Sequence, residues 1–176
     1  MSKTSEEQIK RDEHKVLEIL KINANKSVNE IANELGFSRQ KVWRIIKNLE
    51  ESNQIWGYTA IVNEEMQGLK SYFILVERTP KPLDEDLGEK IISRGLEEEM
   101  QQVDCEIISS IYIHGQYAWL IIFTAKHSKQ ALNVCELLRR RYTDFIKNIV
   151  LLEAVFPVKI QGIVNPDIDN LKEFIF

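Results

Sequence analysis

The sequence has little cysteine and no long apolar run. Only two of its 176 residues are cysteines, and Cys105 and Cys135 stand alone in apolar contexts, without the spacing of metal ligands, so we expect buried thiols. No stretch of about 18 apolar residues occurs, and no basic segment followed by an apolar one opens the chain. We therefore expect neither a membrane span nor secretion, and we predict a cytoplasmic protein.

Motifs for catalysis are also missing. The sequence contains no nucleophile elbow, no phosphate-binding loop and no metal-ligand spacing. His114 lies at a predicted turn, with no adjacent carboxylate, cysteine or second histidine to orient it for acid or base chemistry. We therefore predict no catalytic residue, no metal site and no cofactor, and a protein that is not an enzyme.

Charge is distributed unevenly along the chain. The net charge is −4, but residues 1–63 hold ten Lys and Arg against nine Asp and Glu, whereas residues 64–176 hold thirteen against eighteen. A globally acidic protein is attracted only weakly to a distant polyanion. Any nucleic acid would therefore have to bind a local basic surface in the first part of the chain.

Residues 27–58 carry the strongest local signal. Ser27 and Glu30 have the spacing of a capping box at a helix start, and Gly36 tolerates the left-handed backbone at a helix end. Ser38 is predicted to cap a second helix. That helix has one stripe of apolar residues: Val42, Ile45, Ile46 and Leu49.

The opposite face of this second helix is predicted to bind DNA. Every charged side chain between Ser38 and Leu49 is basic, whereas a merely solvated helix usually mixes signs. A helix-turn-helix places its second helix in the major groove. The predicted DNA-binding residues are Ser38, Arg39, Gln40, Lys41, Trp43, Arg44 and Lys47. A helix that packs in an all-α core without a ligand is the alternative.

Two further elements complete this first domain. A supporting helix is predicted over residues 11–22, and the alternating segment 54–62 predicts a short strand or wing. Trp56 and Tyr58 lie in that segment. We expect them to pack against the third helix, and contact with the DNA backbone is the alternative.

From Leu69 the pattern changes to strand, helix, strand, strand, helix, strand. The order predicts a ferredoxin-like βαββαβ sandwich, with four antiparallel strands and both helices on one face. The first helix is expected to break near Arg94, and Ser128 is expected to cap the second. The strands are predicted over 71–78, 106–113, 118–125 and 146–158. Because the other sheet face would be apolar and uncovered, we expect a homodimer.

The last residues predict a short helix. After the turn at Asn165 and Pro166, a group of apolar residues falls near one helical face: Ile168, Leu171, Phe174 and Ile175. A free tail would be polar, so we expect this helix to dock and strengthen the dimer. A disordered end is the alternative.

The two halves together resemble the Lrp/AsnC (feast/famine) family of transcriptional regulators. The resemblance rests on DEHKVLEILKINANKSVNEIANELGFS and VWRIIKNLEESNQIWGYTAIVN, in which Leu49-Glu50 and Ile55-Trp56-Gly57-Tyr58 look like the family's LE…IxGY signature. It covers about residues 10–163. It implies an α+β fold with a winged helix-turn-helix domain over 1–63, a RAM-type regulatory domain over 64–163, and a tail over 164–176. It also implies sequence-specific binding of double-stranded DNA by a homodimer or a dimer of dimers.

Two departures from the family pattern affect the expected sites. By resemblance, Gly115, Gln116 and Tyr117 belong to an effector site, but the family's turn reads G-D-Y-D and this chain has lost both acids. The ammonium group of an amino-acid effector would lack a carboxylate partner there, so we predict no strong binding of free amino acids. Asn53 stands where glycine is usual, and we expect it to adopt the left-handed backbone.

Two other functions are the alternatives to a sequence-specific regulator. An architectural DNA-packing protein would bind most sequences alike. Some relatives with this architecture are tetrapyrrole decarboxylases, in which a residue such as His114 would serve as a ligand or general acid, but the sequence lacks a partner to orient it.

Overall fold

The computed structural model describes residues 3–82 and 84–175, and the chain divides into two compact units. The first unit contains the residues up to Ile61 together with Val158–Lys172, and the second contains Val62–Pro157 together with the residues from Glu173 onward. None of the helices in the described ranges is long and apolar enough to cross a membrane.

Three helices make up most of the first unit. They are α1 (Lys3–Ile22), α2 (Val28–Leu35) and α3 (Arg39–Glu51). Their shared core consists of Val16, Leu20, Ile31, Ala32, Val42, Ile45 and Leu49. Helix α1 begins earlier than the predicted start at residue 11. The prediction missed its first turns because residues 6–11 are exposed, and a mostly polar run of helix formers has no apolar periodicity to detect.

Both predicted caps of the helix-turn-helix are confirmed. The Ser27 backbone N–H donates to Glu30 Oε2 at 2.7 Å, and the Glu30 N–H donates to Ser27 Oγ at 3.3 Å. Helix α2 then ends at Gly36, whose φ of 65° lies in the left-handed region. These local contacts hold the turn between α2 and α3 and thereby set the direction in which α3 leaves it.

The segment after α3 differs from its prediction. Asn53 has a φ of 56°, as expected for its left-handed position, and the N–H groups of Gln54 and Ile55 both donate to Leu49 O. Residues 55–63, however, contain no strand, so the predicted strand is wrong. The alternation of residue types is present, but a strand also needs a hydrogen-bonding neighbour, which this segment lacks among the described residues.

The second unit contains the predicted βαββαβ order. Its elements are β1 (Lys70–Arg78), α4 (Glu85–Ile92), α5 (Gly95–Gln101), β2 (Glu106–Tyr112), β3 (Trp119–Ala125), α6 (Ser128–Arg141) and β4 (Ile146–Glu153). The strands form one antiparallel sheet in the order β2-β3-β1-β4. This is the predicted ferredoxin-like topology, and the chain is α+β.

The sheet separates a covered face from an open one. Tyr72, Ile74 and Val76 of β1 are buried in the core that α5 and α6 complete. Phe73 and Leu75 alternate with them and are only half-buried. Their neighbours across the strands are also apolar: Leu120 and Ile122 on β3, and Val150 and Leu152 on β4.

Three boundaries in this unit are informative. The long helix is interrupted at Arg94, which has a φ of 56°, so the expected break is confirmed. Ser128 was the predicted cap of α6, but His127 has this role, because its Nδ1 accepts the Gln130 N–H at 3.3 Å. Strand β4 ends at Glu153, which pairs with Tyr72 near the start of β1, so the predicted extension to residue 158 is wrong.

The chain ends in a hairpin and a short helix. Strands β5 (Lys159–Ile160) and β6 (Ile163–Val164) pair antiparallel and belong to the first unit. A 3-10 turn (Ile168–Leu171) and α7 (Lys172–Ile175) follow, and within the second unit the Phe174 ring lies 5.3 Å from that of Phe156. The predicted helix therefore exists. Its contribution to a dimer stays a prediction, and Phe176 lies outside the described residues.

Candidate nucleic-acid interface

Helix α3 is fixed at its start and along one side. Ser38 Oγ accepts the Lys41 backbone N–H at 3.2 Å, and Val42, Ile45 and Leu49 are buried against α1 and α2. The opposite side is open to solvent. It carries five of the predicted DNA-binding residues: Arg39, Gln40, Trp43, Arg44 and Lys47.

Two arginines on this face are available to a ligand. Arg39 and Arg44 are exposed, and neither forms an ion pair with any residue in the described part of the chain. Lys47 Nζ lies 3.5 Å from Glu51 Oε1. Both partners of that pair are exposed, so it is weak and does not withhold Lys47 from a phosphate.

Lys41 is placed differently from the other basic residues. Its Nζ lies 2.7 Å from Asp12 Oδ2 on α1 and 3.9 Å from the centre of the Phe37 ring. Lys41 therefore connects α3 to α1 within the unit. Its predicted part in DNA binding stays a prediction, and the structure adds an internal role that the sequence did not indicate.

Asp12 is the residue of this region that sequence reasoning missed. It is only 6% exposed, and it also accepts a hydrogen bond from Gln8 Nε2 at 2.9 Å. The hydrogen bond from Lys41, reinforced by Gln8, lowers the pKa of the Asp12 carboxyl against the opposing effect of burial. A signal was present, because Asp12, Val16 and Leu20 recur every four residues on the buried side of α1.

The two aromatic residues after α3 behave differently from each other. The Tyr58 hydroxyl donates to Glu50 Oε1 at 3.0 Å, which confirms its expected contact with the third helix. Burial of this hydroxyl raises the pKa of Tyr58, and the bond to Glu50 and the charge of that carboxylate raise it further. Trp56 is 95% exposed, so its predicted packing is wrong; with no strand in this segment, nothing orients the ring toward the helix.

The predicted effector turn joins β2 to β3 in the second unit. Gly115 and Gln116 are exposed and Tyr117 is half-buried, while Ala118 is buried and donates its N–H to Val76 O at 2.8 Å. Two shallow grooves in this unit lie elsewhere, one beside Cys105 and Thr124 and the other beside Arg140. Neither groove is lined by Gly115, Gln116 or Tyr117.

The two cysteines are buried, as the sequence predicted. Burial raises the pKa of both the Cys105 and the Cys135 thiols, so neither has the thiolate character of a reactive cysteine. Within residues 3–82 and 84–175, no cluster of three or more His, Cys, Asp or Glu side chains is arranged to hold a metal ion.

The surface of α3 and the architecture of the second unit can be compared with known proteins. Residues 13–55 match the family model described as winged helix-turn-helix DNA-binding. The AsnC family transcriptional regulator from Agrobacterium tumefaciens superimposes with a TM-score of 0.60 at 17% identity, covering 88% of this chain and 95% of that chain. The chain has the fold of the Lrp/AsnC regulators.

Two other solved structures give similar results. The transcriptional regulator NMB0573 from Neisseria meningitidis, solved as a complex with L-Met, has a TM-score of 0.62 at 17% identity and covers 84% of this chain and 90% of that chain. LrpC of B. subtilis has a TM-score of 0.56 at 17% identity, covering 84% and 94%. No curated protein matches the sequence. The predicted resemblance to Lrp/AsnC regulators is thus confirmed in the fold of both units.

Proposed function

We propose that this protein is a sequence-specific, DNA-binding regulator of transcription that acts as a homodimer. The observation that carries the proposal is the exposed face of α3, which presents Arg39 and Arg44 without an ion-pair partner among the described residues inside a segment that matches a DNA-binding helix-turn-helix model. Unpaired basic groups on one helix face favour a polyanion as the partner.

Each exposed residue has a proposed role in the complex. Arg44, near the middle of α3, reaches a base edge, because an arginine can bond a guanine through two hydrogen bonds at once. Gln40 and Lys47 contact bases or nearby phosphates. Arg39 contacts the DNA backbone at the helix start, and Lys41 also contributes positive charge there while it remains paired with Asp12.

The proposed dimer uses the open face of the β2-β3-β1-β4 sheet. The row of apolar side chains that includes Phe73, Leu75 and Leu120 is only partly buried in one chain. A second copy would cover it through a symmetric contact. Residues 1–63 would then bind DNA and residues 64–163 would dimerise, placing two α3 helices on half-sites about 34 Å apart.

An amino-acid effector at the β2-β3 turn is not part of the proposal. L-Met is present in the complex of the Neisseria meningitidis structure, but here Gln116 and Ala118 supply no carboxylate for an ammonium group. We expect no measurable heat when common amino acids, methionine included, are titrated into the protein at millimolar concentration. A clear heat of binding from any of them would contradict this expectation.

Selection of binding sites from random duplexes tests the proposed function. Purified protein should enrich a palindromic sequence, because a dimer with two reading helices binds two inverted half-sites. Retention of duplexes without enrichment of any sequence would favour the architectural DNA-packing protein. A protein that retains no duplex at 50 mM salt would rule out both.

A further inference from the structure

Trp43 lies within the solvent-exposed arc of α3. At about 100° per residue, Arg39 and Lys47 lie about 40° to either side of Trp43 around the helix axis, and Gln40 lies about 60° away. The buried stripe of Val42, Ile45 and Leu49 occupies the other side. The indole is therefore surrounded by the same polar and basic side chains that are proposed to contact DNA.

Trp43 is more exposed than a tryptophan whose only role is to pack against its own protein. It is 56% exposed, and the charged Nζ of Lys47 lies 5.4 Å from the centre of its ring. A tryptophan left in water forgoes much of the free energy that its burial would release. Exposed aromatic residues ringed by polar groups are the typical anchors of binding surfaces.

The major groove offers such a side chain one apolar partner. Guanine, cytosine and adenine present only hydrogen-bonding groups there, whereas thymine also presents its 5-methyl group. An indole on the groove-facing side of a helix buries apolar surface against that methyl group and against nothing comparable at the other bases. Lys47, which lies over the ring, would limit the orientations that the indole can adopt.

We propose that Trp43 determines specificity by contacting a thymine methyl group in each half-site, beside the base read by Arg44. This inference rests on the proposed function and adds the base that one residue selects. Under this proposal the exposed indole reads the DNA sequence and is not merely a general contributor to affinity. Its role therefore differs from that of the arginines, which bind charged and hydrogen-bonding groups.

The test combines the selected duplex with single replacements of thymine by deoxyuridine, which removes only the 5-methyl group. For the natural protein, each half-site should contain one sensitive thymine. Replacing that single thymine should weaken binding about fourfold, the effect of losing the burial of one methyl-sized group. Replacement at the other thymines should have little effect. In the Trp43→Ala variant this sensitivity should disappear, so that the duplex with thymine and the duplex with deoxyuridine at that position bind equally.

Arg44→Ala is the matched control, because it should weaken binding to both duplexes by the same factor and keep the thymine sensitivity. Trp43→Phe provides a second variant with a smaller ring if Trp43→Ala binds too weakly to measure. Both Trp43 variants alter an exposed side chain, so their thermal midpoints should match that of the natural protein.

The outcomes separate the two proposals. Binding of the natural protein that is insensitive to every thymine methyl, or a sensitivity that persists in Trp43→Ala, overturns the role of Trp43 and leaves the DNA-binding function intact. Failure of the natural protein to bind any duplex overturns the proposed function, and the role of Trp43 with it.

Discussion

At the scale of the residue, Arg44 and Arg39 allow base reading and backbone contact to be distinguished. Arg39 is the first residue of α3 and Arg44 lies near its middle. Arg44→Ala should cost about 1–3 kcal/mol of binding free energy and relax the preference at one base pair. Arg39→Ala should weaken all sequences alike and reduce the slope of log affinity against log salt by about 0.9.

Both effects can be measured by fluorescence anisotropy with the selected duplex and its single-base variants over a range of salt concentrations. Glu7→Gln on the exposed side of α1 is a suitable control for a change of one charge away from α3. The assignment is wrong if Arg44→Ala keeps its full sequence preference.

Asp12 yields a prediction on stability and pH. Its pKa is lowered in the folded protein by the bond from Lys41, so the pair stabilises the fold above about pH 4, the usual range of a free carboxyl. That stabilisation is lost as the pH falls through the lowered pKa. Asp12→Asn should reduce the free energy of unfolding by about 1–3 kcal/mol at neutral pH.

Urea unfolding between pH 2 and pH 7 measures this difference. The gap between Asp12→Asn and the natural protein should start to narrow below about pH 4, where the carboxyl of the unfolded chain binds a proton, and should close as the pH falls through the lowered pKa of the folded carboxyl. A gap that stays constant down to pH 2 would show that the charge of Asp12 is not what stabilises the fold.

At the scale of the element, the turn between α2 and α3 depends on backbone freedom at Gly36. Its φ is 65°, and a Cβ added there would meet no atom within 4 Å. Gly36→Ala should therefore lower the free energy of unfolding by about 1 kcal/mol through backbone strain alone. Gly57→Ala is the control, because Gly57 also has open space but no positive φ.

Thermal unfolding of the two variants tests this comparison. Gly36→Ala should unfold several degrees below Gly57→Ala. Equal midpoints for the two would mean that α2 can end without a left-handed residue, and that the turn is held by packing around Phe37 instead.

The elements also show why some parts of the fold could be predicted and others could not. Capping by Ser27 and the left-handed end at Gly36 involve residues within one or two turns of helix, so spacing alone indicates them. The segment 54–62 has the alternation of a strand, but a strand depends on a neighbour that sequence periodicity does not reveal. The exposed basic residues of α3 could be predicted from helix geometry. The contact of Lys41 with Asp12 could not, because it joins two different helices.

At the scale of the whole molecule, the open sheet face predicts the oligomeric state. Leu75→Lys places a charge in the row of half-buried apolar residues, and burying an unpaired charge at a dimer interface is unfavourable. We expect this variant to be monomeric in sedimentation experiments and to bind the palindromic duplex much more weakly, because each half-site is then occupied independently.

Leu132→Lys is the matched control. Leu132 lies on α6 and is 57% exposed, so the same substitution there adds the same charge without entering the open face. It should leave mass and DNA affinity unchanged. If Leu75→Lys remains dimeric, the dimer forms through another surface and the open sheet face has a different partner.

The hairpin β5-β6 has a consequence for how the protein is made. The first unit unites the residues up to Ile61 with residues 158–172, and residues 62–157 lie between them. On the ribosome the three helices can pack early, because their contacts are local in sequence. The hairpin that completes the unit emerges only after the entire four-stranded sheet has been synthesised. The first unit is therefore completed only after the sheet that separates its two segments in sequence, so that translation products truncated before residue 158 would lack its complete form.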